Sequence, residues 1–484
     1  MNPIIRLSAA LAAVAAYFPS QGVPKPKPVN IVLIFMDDMG YGDLGCYGAT
    51  GYTTPNLDKM ASQGVRFTNF VSAQAVCSAS RAGILTGCYP NRVGISGALM
   101  PDSKIGLNPD EETIAEVLKK QHYKTAAIGK WHLGCLKGFL PLQQGFDEYL
   151  GLPYSNDMWP VGFDGLPAAP NTNKARYPVL PLIDGNEKVR EIKTLEDQSE
   201  LTTLYTERAV RFIHQNKQEP FFLYMAHSMC HVPLAVSGKF KGKSEQGLFG
   251  DVIMEIDWSV GEIMKTLEQN ELMKNTLVVF TSDNGPWLNF GNHAGSAGGL
   301  REGKGSSTEG GQREPCIMKW PGHIQEGTIC NKLASTIDLL PTFAAITNSG
   351  LPEKKIDGVN ILPLMLGDPN ANPREYFLYY YRKNSLEGVR KGNWKLVLAH
   401  PGRTYHGFAP GKDGFPGGTN ENFPFDEALY DMRRDPGEQY DVKEFYPEVV
   451  AELKKIADKA REDLGDDIMQ KPGKNRREPG RIKD

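Results

Sequence analysis

Four apolar runs in this chain stop abruptly at polar residues: "VNIVLIFMDDMG" (29–40), "YKTAAIGKWHLG" (123–134), "PFFLYMAHSMCH" (220–231) and "TLVVFTSDNG" (276–285). Each is too short for a long helix, lacks polar alternation and is rich in β-branched and aromatic residues. They therefore read as strands buried on both faces, which deliver acids, amides, lysine or histidine at their carboxyl ends. Between them lie segments with helical punctuation. "TPNLDKMASQG" (54–64) opens on Thr-Pro and stops at Gly, and "DEETIAEVLKKQ" (110–121) is acidic first and basic last. "DQSELTTLYTERAVRFIHQN" (197–216) and "DVIMEIDWSVGEIMKTLEQN" (251–270) are longer and amphipathic. Strand alternating with helix predicts an α/β fold, a large and mostly parallel sheet sandwiched by helices. In such sheets ligands bind beyond the carboxyl ends of the strands, where each polar cluster sits.

The texture changes after residue 375. "EYFLYYY", "EGVRKGNWKLVLA" and "EALYDMRRDP" are closely spaced β-rich runs, followed by the helical "PEVVAELKKIADKAREDLG". This predicts a smaller C-terminal antiparallel sheet plus helix over 376–470, after a catalytic domain over 23–375. The basic, breaker-rich 471–484 reads as a flexible tail. At the other end, "MNPIIRLSAALAAVAAYFPSQG" has a positive stub, an apolar core from Leu7 to Phe18 and small residues near Ser20 and Gly22. Residues 1–22 therefore read as a signal peptide and the protein as exported. The apolar core is shorter than the roughly 20 residues of a membrane span, so no span is expected in the mature chain. A net charge of −3 gives no bulk attraction to nucleic acid, so an anionic substrate requires local cations.

Asp37 and Asp38 at one strand end, with Asp283 and Asn284 at another, are hard oxygen donors suited to Ca²⁺ or Mg²⁺. Neighbouring strand residues face opposite ways, so the two aspartates can share an ion only if the backbone turns there. In "AVCSASRAGILTG" (75–87) a helix is expected from about Ser78, with Cys77 at its N-terminus. There the dipole favours an anion and is expected to lower the thiol pKa, and Arg81 adds a planar donor fork. Seven cysteines without a C-x-x-C pair suggest neither structural zinc nor a redox dithiol, and the odd number leaves at least one unpaired. Lys130 and His132, two residues apart in an extended segment, point the same way. His231 lies in "CHVP" and Lys304 in the glycine-rich "REGKGSSTEGG". Trp159 and Phe163, in "YSNDMWPVGFDG", either stack on a sugar or pack inside their loop.

Taken in order, "MDDMGYGDLGCYG", "TPNLDKMASQGVRFTNF", "CSASRAGILTG", "GKWHLG", "GLPYSNDM", "HVPL", "TSDNG" and "GKGSSTEGGQREP" resemble the formylglycine-dependent sulfatases of the arylsulfatase type, in the alkaline phosphatase superfamily. The resemblance implies that Cys77 is converted to formylglycine by a maturation enzyme, and that Asp37, Asp38, Asp283, Asn284 and residue 77 hold calcium. It further implies that Arg81 and Lys130 steady the hydrate and the sulfate, and that His132 acts as base in releasing the sulfated intermediate. His231 and Lys304 would bind sulfate and assist the leaving alcohol, with Ser155 a further sulfate contact. The implied substrate is a sulfated saccharide or aryl sulfate. One position departs from the family's commonest pattern: Ala79 stands where proline is usual. Two other readings stay open here, a phosphodiesterase or phosphonate hydrolase of the same superfamily and an inactive, secreted sulfoglycan-binding protein.

Overall fold

The computed structural model describes residues 28–482, so the signal segment expected over 1–22 lies outside the described residues. A mixed sheet of 11 strands forms the centre. Its strands in chain order are β1 (Asn30–Met36), β2 (Val65–Val71), β3 (Lys124–Gly129), β4 (Glu148–Gly151), β5 (Leu180–Asp184), β6 (Glu187–Ile192), β7 (Phe221–Ala226), β8 (Thr276–Ser282), β9 (Arg313–Lys319), β10 (Thr328–Cys330) and β11 (Ala334–Ser335). Across the sheet the order is β10-β2-β9-β8-β1-β7-β3-β4-β5-β6, with β11 also on β2. The four strands foreseen from the apolar runs form the contiguous parallel centre β8-β1-β7-β3. The antiparallel pairs lie to either side, at β9 and at β5–β6.

Alternate residues of β1 feed two different cores, which is why its sequence is apolar without interruption. Ile31, Leu33 and Phe35 pack with Ile84, Leu85, Ile114 and Leu339. Val32, Ile34 and Met36 pack on the other face with Tyr205, Phe212, Ile256 and Val260. The helices behind these residues are α1 (Pro55–Ser62), α2 (Cys77–Thr86), α3 (Ile114–Lys119), α4 (Leu201–Gln215), α5 (Leu248–Gln269) and α6 (Leu339–Thr347). Thr113 and Glu116 close a reciprocal capping box at the start of α3. The single helix expected over 197–216 is two, because a second capping box, Thr194 with Asp197, starts a short turn at Leu195–Ser199 ahead of α4.

Register brings the central strands to a common edge. Phe35 pairs with Ala226, Ala226 with Gly129, and Met36 with Ser282. The next residues, Asp37, His227, Lys130 and Asp283, therefore leave the sheet together. Backbone bonds carry the alignment one residue further, with Lys130 N donating to Ala226 O at 2.7 Å and Asp283 N to Met36 O at 3.2 Å.

The C-terminal unit has β12 (Tyr376–Tyr381), β13 (Ser385–Lys391), β14 (Trp394–Val397) and β15 (Ala428–Asp431) in one antiparallel sheet, backed by helix α7 (Pro447–Leu464). A hairpin of His400–Thr404 with Asn420–Phe425 projects from it. The expectation of a loose tail is not met over 471–482. Gly480–Arg481 pairs with Ile105–Gly106, and Arg477 Nε and Nη2 donate to the Glu111 carboxylate, both at 2.7 Å. Breaker-rich composition misled here because Glu111 and the Ile105–Gly106 strand lie more than 360 residues away.

A buried charge network joins the two units. Glu309 accepts from Tyr379 OH (2.7 Å), Lys395 Nζ (3.1 Å), Arg313 Nε (2.6 Å) and Arg390 Nη1 (3.1 Å), while Lys395 also meets Glu438 at 2.8 Å. Burial alone would raise the Glu309 carboxyl, but the three cations overcome it and hold it well below the ordinary range. With its pKa depressed on folding, this group contributes stability above the ordinary carboxylate range and loses it as pH falls through its own value. Glu309→Ala leaves three buried cations with one carboxylate. It should lower stability by about 3–5 kcal/mol, read as a drop in the denaturant or thermal midpoint.

Candidate active site

The site grows from the β1 and β8 ends. Asp38 has φ 61°, a left-handed conformation rare for a residue with a side chain. This turn is what lets Asp37 and Asp38 face the same space, as a shared ion requires. Asp38 N donates to Asp283 Oδ1 at 3.1 Å, and Asn284 Nδ2 donates to Asp38 Oδ1 at 2.7 Å, so the two loops are stitched together. The glycine-rich loop comes close for a steric reason. A Cβ at Gly285 would lie 1.9 Å from Gly310 O, so only glycine permits the approach.

Helix α2 enters against this edge and is buried over its whole length. It starts at Cys77, one residue before the expected start. Arg81, one turn in, is fully buried and donates to Asp283 Oδ2 (2.9 Å) and to Lys130 O (2.9 Å), with Asp37 Oδ1 at 3.4 Å. Lys130 Nζ donates to Asp37 Oδ2 (2.6 Å) and Ser155 Oγ (3.1 Å). Lys304 Nζ donates to Asp38 Oδ2 (2.9 Å), lies 3.4 Å from Cys77 Sγ and sits 4.5 Å above the Trp287 ring. Three carboxylates and three cations are thus interleaved, all buried, around one sulfur atom. Ala79, at the position where proline is usual, uses its N–H to donate to Gly97 O at 3.2 Å, a bond proline could not make.

The thiol expectation is overturned. Burial first, with Asp37 and Asp283 adding to it, pushes the Cys77 thiol up to about 12, against the pull of Lys130 and Lys304. A helix terminus offers about half a charge, too little to offset desolvation and two carboxylates. Cys77 is therefore a neutral thiol at physiological pH rather than a poised thiolate.

The two histidines differ from the simple picture in one respect each. His132 has φ 58°, so the extended i, i+2 alignment with Lys130 does not hold. Its Nε2 donates to Leu99 O at 2.9 Å, which leaves Nδ1 as a buried lone pair without a partner. Burial, then Lys130 and Arg81, hold its pKa well below the usual value, so the ring is neutral. His231 donates from Nδ1 to Val232 O at 2.6 Å, and its Nε2 lies 3.6 Å from Asp38 Oδ2. Those two atoms would both be acceptors unless a proton or cation lies between them.

The oxygen set fits a hard cation. Asp37 Oδ1 and Asn284 Oδ1 are buried and accept no hydrogen bond. Ligand atoms of Asp37, Cys77 and Asp283 lie within 4.8 Å of one another, as do those of Asp38, Cys77 and His231. Burial and then the Asp37 charge push the Asp283 carboxyl up, whereas Lys130 and Arg81 overcome burial at Asp37 and hold it well below the ordinary range.

Four supporting residues were not foreseen. Asp43 accepts from Gly40 N and Ser296 N, both at 2.7 Å, and so braces the loop after Asp38; it lay inside a stretch already singled out. Trp287, three residues after Asn284, packs on both His231 and Lys304. Arg403 Nη1 (3.1 Å) and Tyr405 OH both donate to Lys304 O, and nothing local marks them. Of the two aromatic candidates, Trp159 is fully buried and not free to stack on a sugar, while Phe163 is half-buried, packed edge-on against Phe290 with Lys174 Nζ 4.5 Å over its ring.

An anion site of this kind, at the carboxyl edge of a parallel sheet with paired acids and a helix-borne cysteine, belongs to hydrolases of anionic esters. Comparison with known proteins makes this specific. The sulfatase family model matches residues 29–349, and the model for the C-terminal region of aryl-sulfatase matches residues 372–479. Human arylsulfatase A is 38% identical over 455 residues, covering 90% of this chain and 88% of the relative. Mouse N-acetylgalactosamine-6-sulfatase is 39% identical over 442 residues, covering 86% and 82%. Among solved structures, the PsFucS1 sulfatase from Pseudoalteromonas sp. superposes with TM-score 0.80 at 26% identity, covering 94% of this chain and 92% of that one. A Bacteroides thetaiotaomicron sulfatase from work on the metabolism of multiple glycosaminoglycans gives 0.75 at 31%, covering 90% and 99%. The chain belongs to the sulfatase family and is a sulfuric ester hydrolase.

With its pKa near 12, unconverted Cys77 should resist iodoacetamide at pH 8 in the folded protein and react readily once unfolded. Peptide mass spectrometry of the 75–87 segment before and after denaturation checks this.

Proposed function

We propose that the protein is an exported, calcium-dependent sulfatase that removes sulfate from a carbohydrate, with residue 77 acting as formylglycine. The observation that carries the reading is the state of residue 77. It sits at the centre of three carboxylates and three cations, yet burial and the carboxylates keep its thiol neutral. A group so placed needs different chemistry to act as a nucleophile. Once oxidised to the aldehyde by a maturation enzyme, residue 77 would supply a hydrate, one hydroxyl attacking sulfur and the other losing its proton to expel sulfate as the aldehyde re-forms.

Asp37, Asp38, Asp283 and Asn284, together with residue 77, are the oxygen set for calcium, which when bound supplies Lewis acidity and charge to a sulfuryl oxygen. Arg81 and Lys130 would hold the reacting oxygens through their remaining donors, each already oriented by a carboxylate. Ser155, oriented by Lys130, adds a hydroxyl contact to sulfate. The neutral His132, with Nδ1 free to accept, suits the base that collects the hydrate proton. Lys304 Nζ, on the Trp287 side, suits the protonated group that meets the departing alcohol oxygen; His231, which burial and then Lys304 hold below the usual imidazole range, would stand beside it as a sulfate contact through Nε2. Donors already in place where charge develops need no reorganisation during the reaction, and in sites of this kind they lower the barrier most. The carbohydrate assignment, and within it a galactose-type sugar, draws on the names of relatives such as N-acetylgalactosamine-6-sulfatase. Export rests on the N-terminal sequence pattern; among the described residues no helix is long and apolar enough to cross a membrane.

Protein matured in a host able to convert sulfatase cysteines should yield a 75–87 peptide carrying the aldehyde in place of the thiol. Thiol throughout a fully active preparation would overturn the formylglycine reading. Cys77→Ala should abolish sulfate release, and His231→Ala and Lys304→Ala should each lower kcat by about 10²–10³-fold. Chelation should remove activity and added Ca²⁺ restore it; full activity in the chelated enzyme would remove calcium from the account. A panel of sulfated monosaccharides against an aryl sulfate tests the substrate class, and turnover of the aryl ester alone would count against a carbohydrate.

A further inference from the structure

The C-terminal unit brings a second group of cations to the margin of the site. Arg403, on the projecting hairpin, lies so close to the catalytic loop that a Cβ at Gly305 would be 2.5 Å from its Nη1, and that atom donates to Lys304 O at 3.1 Å. Gly305 N in turn donates to Ala75 O at 2.9 Å, two residues before Cys77. The Arg403 guanidinium is thus one residue removed from both Lys304 and the approach to α2.

Arg382 and Lys383 form the tip between β12 and β13. Both are left-handed, at φ 44° and 64°, in a turn where Asn and Gly would be at ease. Two successive long cationic side chains in this conformation are unusual, and such strain persists where the surroundings hold it. Here they do. Asn384, the next residue, meets Asn91 Nδ2 and donates to Leu464 O, and Lys383 O accepts from Ser96 Oγ at 2.8 Å. Ser96 adjoins Gly97, whose carbonyl takes the Ala79 N–H, so the tip is anchored to the first turn of the Cys77 helix.

These cations are under-neutralised. Glu421 alone serves two of them, Arg403 at 2.9 Å and Arg382 at 3.7 Å. Among the described residues no carboxylate lies within 4.0 Å of Lys383, which is exposed.

We propose that Arg382, Lys383 and Arg403 form an anion-reading rim that selects substrates carrying a second negative group, a further sulfate or a carboxylate, beyond the ester that is cleaved. The proposal rests on the sulfatase reading and deepens it by naming the substrate class. Arg382 and Lys383 act on binding of the flanking group alone; Arg403 also holds Lys304 O, so its effect is read as the ratio between dianionic and monoanionic substrates.

The test compares kcat/KM for a monosulfated sugar, the same sugar with a second sulfate, and the same sugar joined to a uronate. An aryl sulfate with and without a ring sulfonate reads the rim whatever the natural substrate. Wild type should prefer at least one dianion by about tenfold, the equivalent of one well-placed charge contact, and added salt should shrink that preference. R382N/K383G puts turn-compatible residues at both left-handed positions while removing two charges. It should keep or raise Tm yet lose most of the preference, and Arg403→Gln should reduce the same ratio. Preference for the sulfated or for the uronate partner assigns the source of the charge. No preference for any dianion, or a preference intact in R382N/K383G, overturns the rim. Turnover of aryl esters with a preserved dianion preference, and of no sugar, would overturn the carbohydrate reading while leaving the rim standing.

Discussion

The structure depends on holding six charges of both signs out of water in one place. Asp37, Asp38 and Asp283 face Arg81, Lys130 and Lys304 with almost no exposure. Any one of them alone would carry a desolvation cost of several kcal/mol. Each is tolerable only because its neighbours are placed to within hydrogen-bonding distance, and that placement is a property of the sheet. Parallel register aligns the β1, β3, β7 and β8 ends, and the buried α2 fixes Arg81 between two aspartates. A slip of one residue in any of these strands would turn a charge into the apolar core. The uniform apolarity of the four central runs is thus the condition for the polar edge they deliver.

The same crowding decides the chemistry of residue 77. At an isolated helix N-terminus a cysteine would gain acidity, but here desolvation and two carboxylates outweigh both the dipole and the nearby lysines. The outcome follows from magnitudes: partial charges at a helix end against full charges in a medium that screens poorly. A site arranged this way disfavours a thiolate and favours neutral oxygen ligands and hydroxyls beside a hard cation. The orphaned oxygens of Asp37 and Asn284 point the same way, since burying an acceptor without a partner is costly unless something is meant to meet it.

Much of this was legible in the residues because the controlling signals are local. Apolar runs with abrupt polar ends announced β1, β3, β7 and β8, and the acids, Lys130 and the Cys77 helix came with them. What escaped depends on long-range packing. Nothing in "MDDMG" specifies that Asp38 takes φ 61°; Asp283 and Ser282, which accept from Asp38 N and Met39 N, hold the turn from the end of another strand. His132 leaves its extended alignment because Leu99 O claims Nε2. Trp159, whose indole suggested a sugar platform, is swallowed by the core on the β1 face of Ile34. Arg477 draws the C-terminal segment back to Glu111, which composition alone cannot foresee.

The division between the two units has a physical rationale. The groups proposed to act on sulfur are held rigid and dry, on strand ends and a buried helix whose positions the sheet over-determines. Groups that sort substrates can be exposed and built on turns, provided their backbone is tied to the chemistry. Lys304 belongs to both regimes: its ammonium joins the buried cluster while its carbonyl is held by Arg403 and Tyr405 from the C-terminal hairpin. A change in that hairpin is therefore transmitted to the Lys304 ammonium of the candidate site through two hydrogen bonds on one carbonyl oxygen. The C-terminal unit is accordingly tied mechanically to the candidate site, and the buried charge network around Glu309 stiffens that connection.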